Sequence, residues 1–318
     1  MLPRAAFPQM TSKYLTEPRG RFQGKSGLLI APKSTKQVSH ILAKANAECI
    51  GVIPFGGGTG LVGGQVLDPK LGSNAVPIIL SLERMCNIRD SYPTENVMTA
   101  DAGVILQDLQ SKAVEMDRLF PLSLASKGSA QIGGLLATNA GGVNVLRYGM
   151  ARDQVLGIEA VMADGQILNG LNRLRKDNTG YDLRHLLIGS EGSLGIITAA
   201  SLKLIPRPKF EMTAMLAVRS PGSALKLLNT TRGLFGESLS AFELISGQGL
   251  SFLSETFPAF RQPWPNPPEW SILIQLDFFE DKFVGACFEK LYDHAGDLIL
   301  DGITAQSLQS SKDLWKLR

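Results

Sequence analysis

The stretch Gly56-Gly57-Gly58-Thr59-Gly60-Leu61-Val62-Gly63-Gly64 puts six glycines in nine residues, directly after an apolar run that ends in Pro54-Phe55. Glycine tolerates φ > 0 and lets backbone close on a phosphate, and Thr59 adds a hydroxyl donor. The stretch contains GxGxxG at Gly58, Gly60 and Gly63, and Glu83 follows where a dinucleotide fold would put its ribose acid. The next residues argue against that fold. Gln65 to Ala75 holds Pro69, Gly72, Ser73 and Asn74, so no helix of useful length starts in the loop to aim its N-terminus at a pyrophosphate. The loop must instead wrap an anion with its own N–H groups. A nucleotide loop of the GxxxxGK[ST] kind is excluded too, because Gly20 and Gly24-Lys25-Ser26 are separated by three residues where four are needed. A tight strand connection without a ligand is the competing reading.

Two further clusters have similar composition. The second runs from Gly128-Ser129-Ala130-Gln131-Ile132-Gly133-Gly134 to Thr138-Asn139-Ala140-Gly141-Gly142. Its small residues allow a flat ring or a diphosphate to pack on backbone, and Asn139 offers a donor and an acceptor. The third is Asn178-Thr179-Gly180-Tyr181-Asp182, then Gly189-Ser190-Glu191-Gly192-Ser193-Leu194-Gly195-Ile196-Ile197. Amides at the start of the strand that follows can read an adenine edge. Each cluster has a plainer reading: Gly133-Gly134 as close packing, Gly189 and Gly192 as turns, Tyr181 as a core aromatic, Asp182 as a helix cap. Together they favour a long, two-ended ligand with a diphosphate in its middle, and FAD fits that description.

The elements that must position these loops follow from periodicity. Residues 28–32, 49–55 and 76–82 read as strands. Ser34 or Thr35 caps a helix with Val38, Ile41, Leu42 and Ala45 on one stripe. A second unit has strands at 96–100, 157–163, 166–168 and 195–205, a helix on Ile105, Leu109, Ala113 and Met116, and a hairpin at Asp164-Gly165. After Pro206 and Pro208 glycine thins out. Strands 212–218, 239–245 and 271–277 and helices 222–233 and 283–293 then suggest a separate α+β layer, with a Pro/Trp-rich loop at 257–270.

Composition narrows the function. The chain has 318 residues, 44% hydrophobic and 19% charged, and a net charge of +3, which gives no basis for nucleic-acid binding. There is no apolar run long enough for a transmembrane helix. Arg4, Lys13, Arg19, Arg21 and Lys25 against Glu17 read as a solvated irregular start or as an organelle transit peptide. Cys49, Cys86 and Cys287 read as buried free thiols, and His40, His185 and His294 have no metal-ligand spacing.

At motif level the chain resembles the FAD-linked oxidases of the vanillyl-alcohol oxidase superfamily. Residues 54–64 resemble their pyrophosphate loop. Residues 132–142 and Arg147-Tyr148-Gly149 resemble the second motif, and residues 175–183 with 188–198 the third. The Arg175-Lys176-Asp177-Asn178-Thr179-Gly180-Tyr181-Asp182 run is nearest the D-2-hydroxy acid dehydrogenase group (D-lactate, glycolate, D-2-hydroxyglutarate), and within it leans toward the D-2-hydroxyglutarate branch. It also argues against a cell-wall-precursor reductase on the same scaffold.

The resemblance implies an α+β protein: an irregular segment 1–24, an FAD-binding domain 25–209 made of two small α/β subdomains (about 25–90 and 91–209), and a partial substrate cap 210–318. It implies non-covalent FAD, since the first loop has no histidine to anchor a flavin. The residues it assigns to the cofactor are Pro54, Gly56, Gly57, Gly58, Thr59, Gly60, Leu61, Gly63 and Gly64; Pro121, Gly128, Ser129, Ile132, Gly133, Gly134, Thr138, Asn139, Gly141, Gly142, Tyr148 and Gly149; and Glu191, Gly192, Gly195, Ile196 and Ile197. Arg318 would bind the substrate carboxylate, and Phe242-Glu243-Leu244 would be structural. The implied reaction is oxidation of a small D-2-hydroxy acid to the 2-oxo acid, by hydride transfer to flavin N5 and onward transfer to a quinone, an electron-transfer flavoprotein or a cytochrome. The family's His-rich metal and catalytic motif has no counterpart here. A divalent metal is therefore expected only with a catalytic half beyond residue 318. The alternative is an FAD-binding part without turnover. The expected location is cytoplasmic, alternatively the mitochondrial matrix, and a homodimer is compatible with the sequence.

Overall fold

The computed structural model describes residues 11–67, 76–281 and 284–318. The chain forms two compact units, one from Met1–Gly141 with Met150–Pro206, the other from Gly142–Gly149 with Arg207–Arg318.

The first unit holds two sheets. Strands β1 (Leu28–Ile30), β2 (Val52–Phe55) and β3 (Ile78–Ser81) pair in parallel in the order β1-β3-β2. Helix α1 (Thr35–Ala47) crosses between the first two. Ser34 caps it by accepting the Gln37 N–H, and Val38, Ile41, Leu42 and Ala45 bury the expected stripe against Ile30, Ile78 and Leu80. The second sheet is antiparallel, built from β4 (Ile88–Tyr92), β5 (Val97–Asp101), β7 (Val155–Val161), β8 (Ile167–Gly170) and β9 (Ile196–Lys203) in the order β4-β5-β9-β7-β8. Between β5 and β7 lie β6 (Arg118–Leu119), α2 (Leu106–Glu115) and α3 (Ile132–Ala137); α5 (Leu183–Leu187) precedes β9, and β10 (Ile205–Pro206) pairs with β6. Leu106, Leu109, Phe120, Ile132, Leu136, Ile158 and Leu202 form the core.

Strand β4 and helix α3 escape the periodicity. Strand β4, Ile-Arg-Asp-Ser-Tyr, is a polar edge strand. Its Arg89 bonds Asp101 at 2.6 Å and Glu159 at 2.8 Å, so charge pairing rather than apolar alternation fixes it. Helix α3 contains Gly133-Gly134, poor helix formers, but a Cβ on Gly133 would meet the Ala102 Cβ at 2.6 Å, so close packing overrides propensity. The N-terminal segment is also more ordered than expected. From residue 11 it folds back, with Tyr14 2% exposed and its hydroxyl on both Glu83 oxygens (3.0 and 2.9 Å). Glu17 is buried. Burial opposes its ionisation, but the N–H groups of Arg19 and Arg21 hold its carboxyl below the usual range. Arg4 lies outside the described residues.

The second unit is an antiparallel sheet, β11 (Phe210–Val218), β12 (Leu239–Ser246), β13 (Trp270–Phe278) and β14 (Ile299–Thr304), in the order β12-β13-β11-β14. Helix α4 (Val145–Tyr148) packs on β12. Helices α6 (Pro221–Phe235) and α8 (Cys287–Ala295) cover one apolar side through Leu227, Cys287 and Leu291. Leu250 of α7 (Gly247–Thr256), Leu314 of α9 (Leu308–Trp315), Leu317 and Trp264 pack with Met215, Ala217 and Leu273 in a second cluster. Of the cysteines, only Cys287 is buried; Cys49 and Cys86 are exposed, which corrects the reading of three buried thiols.

Candidate cofactor site

Three loops of the first unit meet around one cleft that encloses about 1200 Å³ of non-atom space, part of it open to solvent. The first loop leaves β2 at Phe55, whose ring lies 4.8 Å from that of Tyr14. Gly58 has φ +70°, a conformation that side chains rarely take, and a Cβ there would touch the Phe55 ring at 3.0 Å. Gln65 Nε2 donates to Gly60 O at 3.1 Å and to Gly58 O at 3.4 Å. Two of the loop's carbonyls are thereby engaged. Among the described residues, the N–H groups of Gly57, Gly58, Thr59 and Gly60 donate to nothing. Beyond the loop comes a 3-10 turn, Gly63–Gln65; Pro69, Gly72, Ser73 and Asn74 lie outside the described residues. Glu83 is engaged by Tyr14 and Lys13 and does not line the cleft.

The loops are fitted to one another pairwise. A Cβ on Gly57 would lie 2.0 Å from Ser129 O, so the first loop rests on the second. Glu191, in the left-handed region with φ 51°, donates its N–H to Ala137 O at 2.9 Å, so the third rests on the second. Gly192, φ +81°, would place a Cβ 2.5 Å from Pro54 Cγ, so the third rests on the first. Arg152 locks the outside. Its N–H donates to Asn139 Oδ1 at 3.0 Å, and its guanidinium to Ile188 O at 2.6 Å and to His185 O.

Of the expected cofactor residues, Pro54, Gly56, Gly57, Gly58, Thr59, Gly60, Gly64, Gly133, Gly134, Thr138, Glu191, Gly192, Gly195, Ile196 and Ile197 line the cleft. Leu61, Gly63, Pro121, Gly128, Ser129, Ile132, Asn139 and Gly141 belong to the same unit but not to the lining. Ser129 and Ile132 serve as packing behind it. Asn139 Oδ1 is taken by Arg152, which removes the free acceptor expected of it. Gly142, Tyr148, Gly149 and Arg318 belong to the second unit.

The third cluster divides. Glu191, Gly192, Gly195, Ile196 and Ile197 reach the cleft, whereas Asn178 to Asp182 do not. Asp182 caps α5 by accepting the His185 N–H, and Arg184 beside it holds its carboxyl down to about 2. Tyr181 is 95% exposed, not a core aromatic. Sequence reasoning missed Leu82, Ala102 and Gln131 in the lining. The first two come from unrelated strand ends. Gln131 lay inside a quoted motif and gave a polar-residue signal that the glycines overshadowed. Glu191 is the one charged lining residue among those described, so a bound anion would be met by backbone rather than by Lys or Arg.

The second unit carries a different chemistry. Arg147 and Asp277 are 8% and 5% exposed at their side chains; Arg147 Nη1 donates to Asp277 O at 3.0 Å and lies 3.7 Å from Oδ2. Burial raises the Asp277 carboxyl, opposed by hydrogen bonds from Gln275 and Ser240 and by Arg147. Burial pushes the Tyr148 phenol up to about 12. Trp315 Nε1 donates to Gln275 Oε1 at 2.8 Å, and Arg318 Nε to Glu243 Oε2 at 2.6 Å. Glu243, expected to be structural, thus holds the one expected substrate residue. None of His40, His185 and His294 lines the cleft, and no group of three or more His, Cys, Asp or Glu among the described residues is placed to hold a metal.

Residues 27–170 match the family model of the FAD binding domain. Over that stretch the chain is similar to an FAD binding domain. It is homologous over nearly its whole length to D-2-hydroxyglutarate dehydrogenases: it is 40% identical over 300 residues to the mitochondrial D-2-hydroxyglutarate dehydrogenase of Danio rerio, covering 93% of this chain and 54% of that protein. It is 37% identical over 306 residues to the Arabidopsis thaliana enzyme of the same name (94% and 53%), and 34% over 302 residues to the D-2-hydroxyglutarate–pyruvate transhydrogenase of Saccharomyces cerevisiae (94% and 59%). The chain thus spans about half the length of the curated relatives it matches. Among solved structures, alkyldihydroxyacetonephosphate synthase shares the fold at TM-score 0.76 and 18% identity (99% of this chain, 60% of that one), and p-cresol methylhydroxylase at 0.67 and 15% (90% and 60%). The first two loops of the cleft lie within the matched residues 27–170, and the third, with Glu191 and Gly192, lies beyond them. The cytoplasmic expectation gains no support, since the plant and fish relatives are named mitochondrial.

Proposed function

We propose that this chain is the FAD-holding part of an FAD-dependent D-2-hydroxy acid dehydrogenase acting on a D-2-hydroxyglutarate or D-lactate class substrate. One observation carries the cofactor reading: three separated loops converge on one cleft and, among the described residues, offer four consecutive unbonded N–H groups, at Gly57 to Gly60, with Glu191 as the one charged lining residue. The residues fit FAD. The first loop's amides would take the diphosphate, the small residues of the second would face a flat ring, and the Ile196 and Ile197 amides would take an adenine edge. When bound, FAD supplies the hydride acceptor, N5 of its ring. Arg318 would grip the substrate carboxylate. Glu243 occupies its Nε and leaves Nη1 and Nη2 for a bidentate contact.

The second reading is an FAD-binding part without turnover. It is favoured by the lack of any histidine in the lining among the described residues. The test is a flavin spectrum of the purified chain, then anaerobic addition of D-2-hydroxyglutarate, D-lactate or glycolate. Bleaching supports the dehydrogenase; a yellow protein that never bleaches supports the second reading; a chain that cannot take up FAD removes both. For location, the relatives' names support the mitochondrial matrix, checked by fractionating cells that express the chain with its natural N-terminus.

A further inference from the structure

Among the described lining residues, Gln131 is the one with a buried side-chain polar atom that the fold leaves unbonded. Gln131 is 8% exposed, and its Oε1 is sealed from solvent and accepts no hydrogen bond. Its backbone is committed, with the carbonyl taking the Leu135 N–H at 3.0 Å and the residue bridging Ile105. The carboxamide borders the cleft where the first two loops meet: a Cβ on Gly56 would lie 3.4 Å from Gly134 Cα and 3.9 Å from Oε1. Neighbouring polar groups are spent differently, the Gln65 amide on the carbonyls of Gly58 and Gly60, the Thr138 hydroxyl on Gly134 O. An unbonded buried acceptor burdens the folded state in a way that an apolar side chain of the same shape does not, so such groups need a reason to exist.

We propose that Gln131 is a cofactor-recognition residue whose carboxamide is completed by a hydroxyl or N–H donor of the bound dinucleotide. The inference rests on the flavoprotein reading above. It makes a prediction that a merely structural glutamine does not: removing the amide should leave the flavin-free fold as stable or more stable, while weakening FAD binding.

Gln131→Met keeps length and volume and deletes the hydrogen bonds; Gln131→Leu repeats the test should the first variant not fold. Flavin-free parent and variant chains are melted by circular dichroism and titrated with FAD by fluorescence quenching. The expected result is a Tm equal to or above the parent's and an FAD Kd raised by roughly tenfold, the loss that goes with one buried polar partner. A Kd within twofold of the parent overturns the inference, and so does a Tm that falls by several degrees together with affinity, which marks a structural role. If the parent itself binds no FAD, the flavoprotein reading falls and takes the inference with it. A binding parent with an indifferent variant defeats the inference alone.

Discussion

The cleft of the first unit and the side-chain network of the second unit's sheet are built from polar groups of opposite kinds. The cleft is walled by glycine, alanine and isoleucine and offers backbone N–H groups, with Glu191 as its single charged lining residue among those described. The second unit invests in side chains pinned to one another: Arg147 on Asp277, Arg318 on Glu243, Trp315 on Gln275. A backbone cradle is fixed by how loops pack, so its weak points are steric. A side-chain network is fixed by pairing, so its weak points are electrostatic.

That difference orders the expected effects of substitution. The largest belongs to Gly57→Val, because even a Cβ would sit 2.0 Å from Ser129 O and one of the two loops must move. We expect loss of about 3 kcal/mol or more and no retained flavin, read by thermal denaturation and by the flavin spectrum after gel filtration. Gly58→Val, at φ +70°, should also lose flavin but keep more of its stability, as its nearest obstacle is the edge of the Phe55 ring. Next comes Asp277→Ala, which leaves the Arg147 guanidinium buried without its carboxylate; about 3 kcal/mol is expected, measured by urea unfolding. If Asp277→Ala proves harmless while Gly57→Val unfolds the chain, the second unit's pair is ornamental and the contrast fails. Glu243→Gln should cost under about 1 kcal/mol, since the pair is partly exposed, but should weaken any 2-hydroxy acid binding through a looser Arg318. The smallest effect is at Asp182. Its carboxyl is held at about 2 by Arg184, so its contribution is complete above the ordinary carboxylate range and fades as pH falls through about 2. Asp182→Asn should flatten that acid limb slightly, by well under about 1 kcal/mol given its exposure.

Much of this organisation was legible beforehand. Helix α1 announced itself through Ser34 and a stripe of four apolar residues, and the loop from Gly56 to Gly64 through composition alone. What stayed hidden was fixed by contacts distant in sequence. Strand β4 depends on Arg89 finding Asp101 and Glu159. Helix α7 opens Gly247-Gln248-Gly249, against propensity, and is set by a Ser246 cap and by Gly247 fitting against Pro268 O. The third cluster looked like one ligand loop because its two parts adjoin in sequence. The Asp182 cap and the short helix after it carry Asn178 to Tyr181 away from residues 191–197. Gln131 stood out in the sequence only as a polar residue among glycines; that its Oε1 goes unbonded depends on the packed fold.

The octapeptide Gly142–Gly149 interrupts the first unit's chain yet belongs to the second. Its Arg147 meets Asp277, 130 positions later. On a ribosome adding about 5–20 residues each second, that guanidinium waits roughly 7 to 26 s for its acceptor to be made. No cut after Pro206 can therefore release the second unit whole, and translation must keep that short insert available long after the flanking strands have begun to fold.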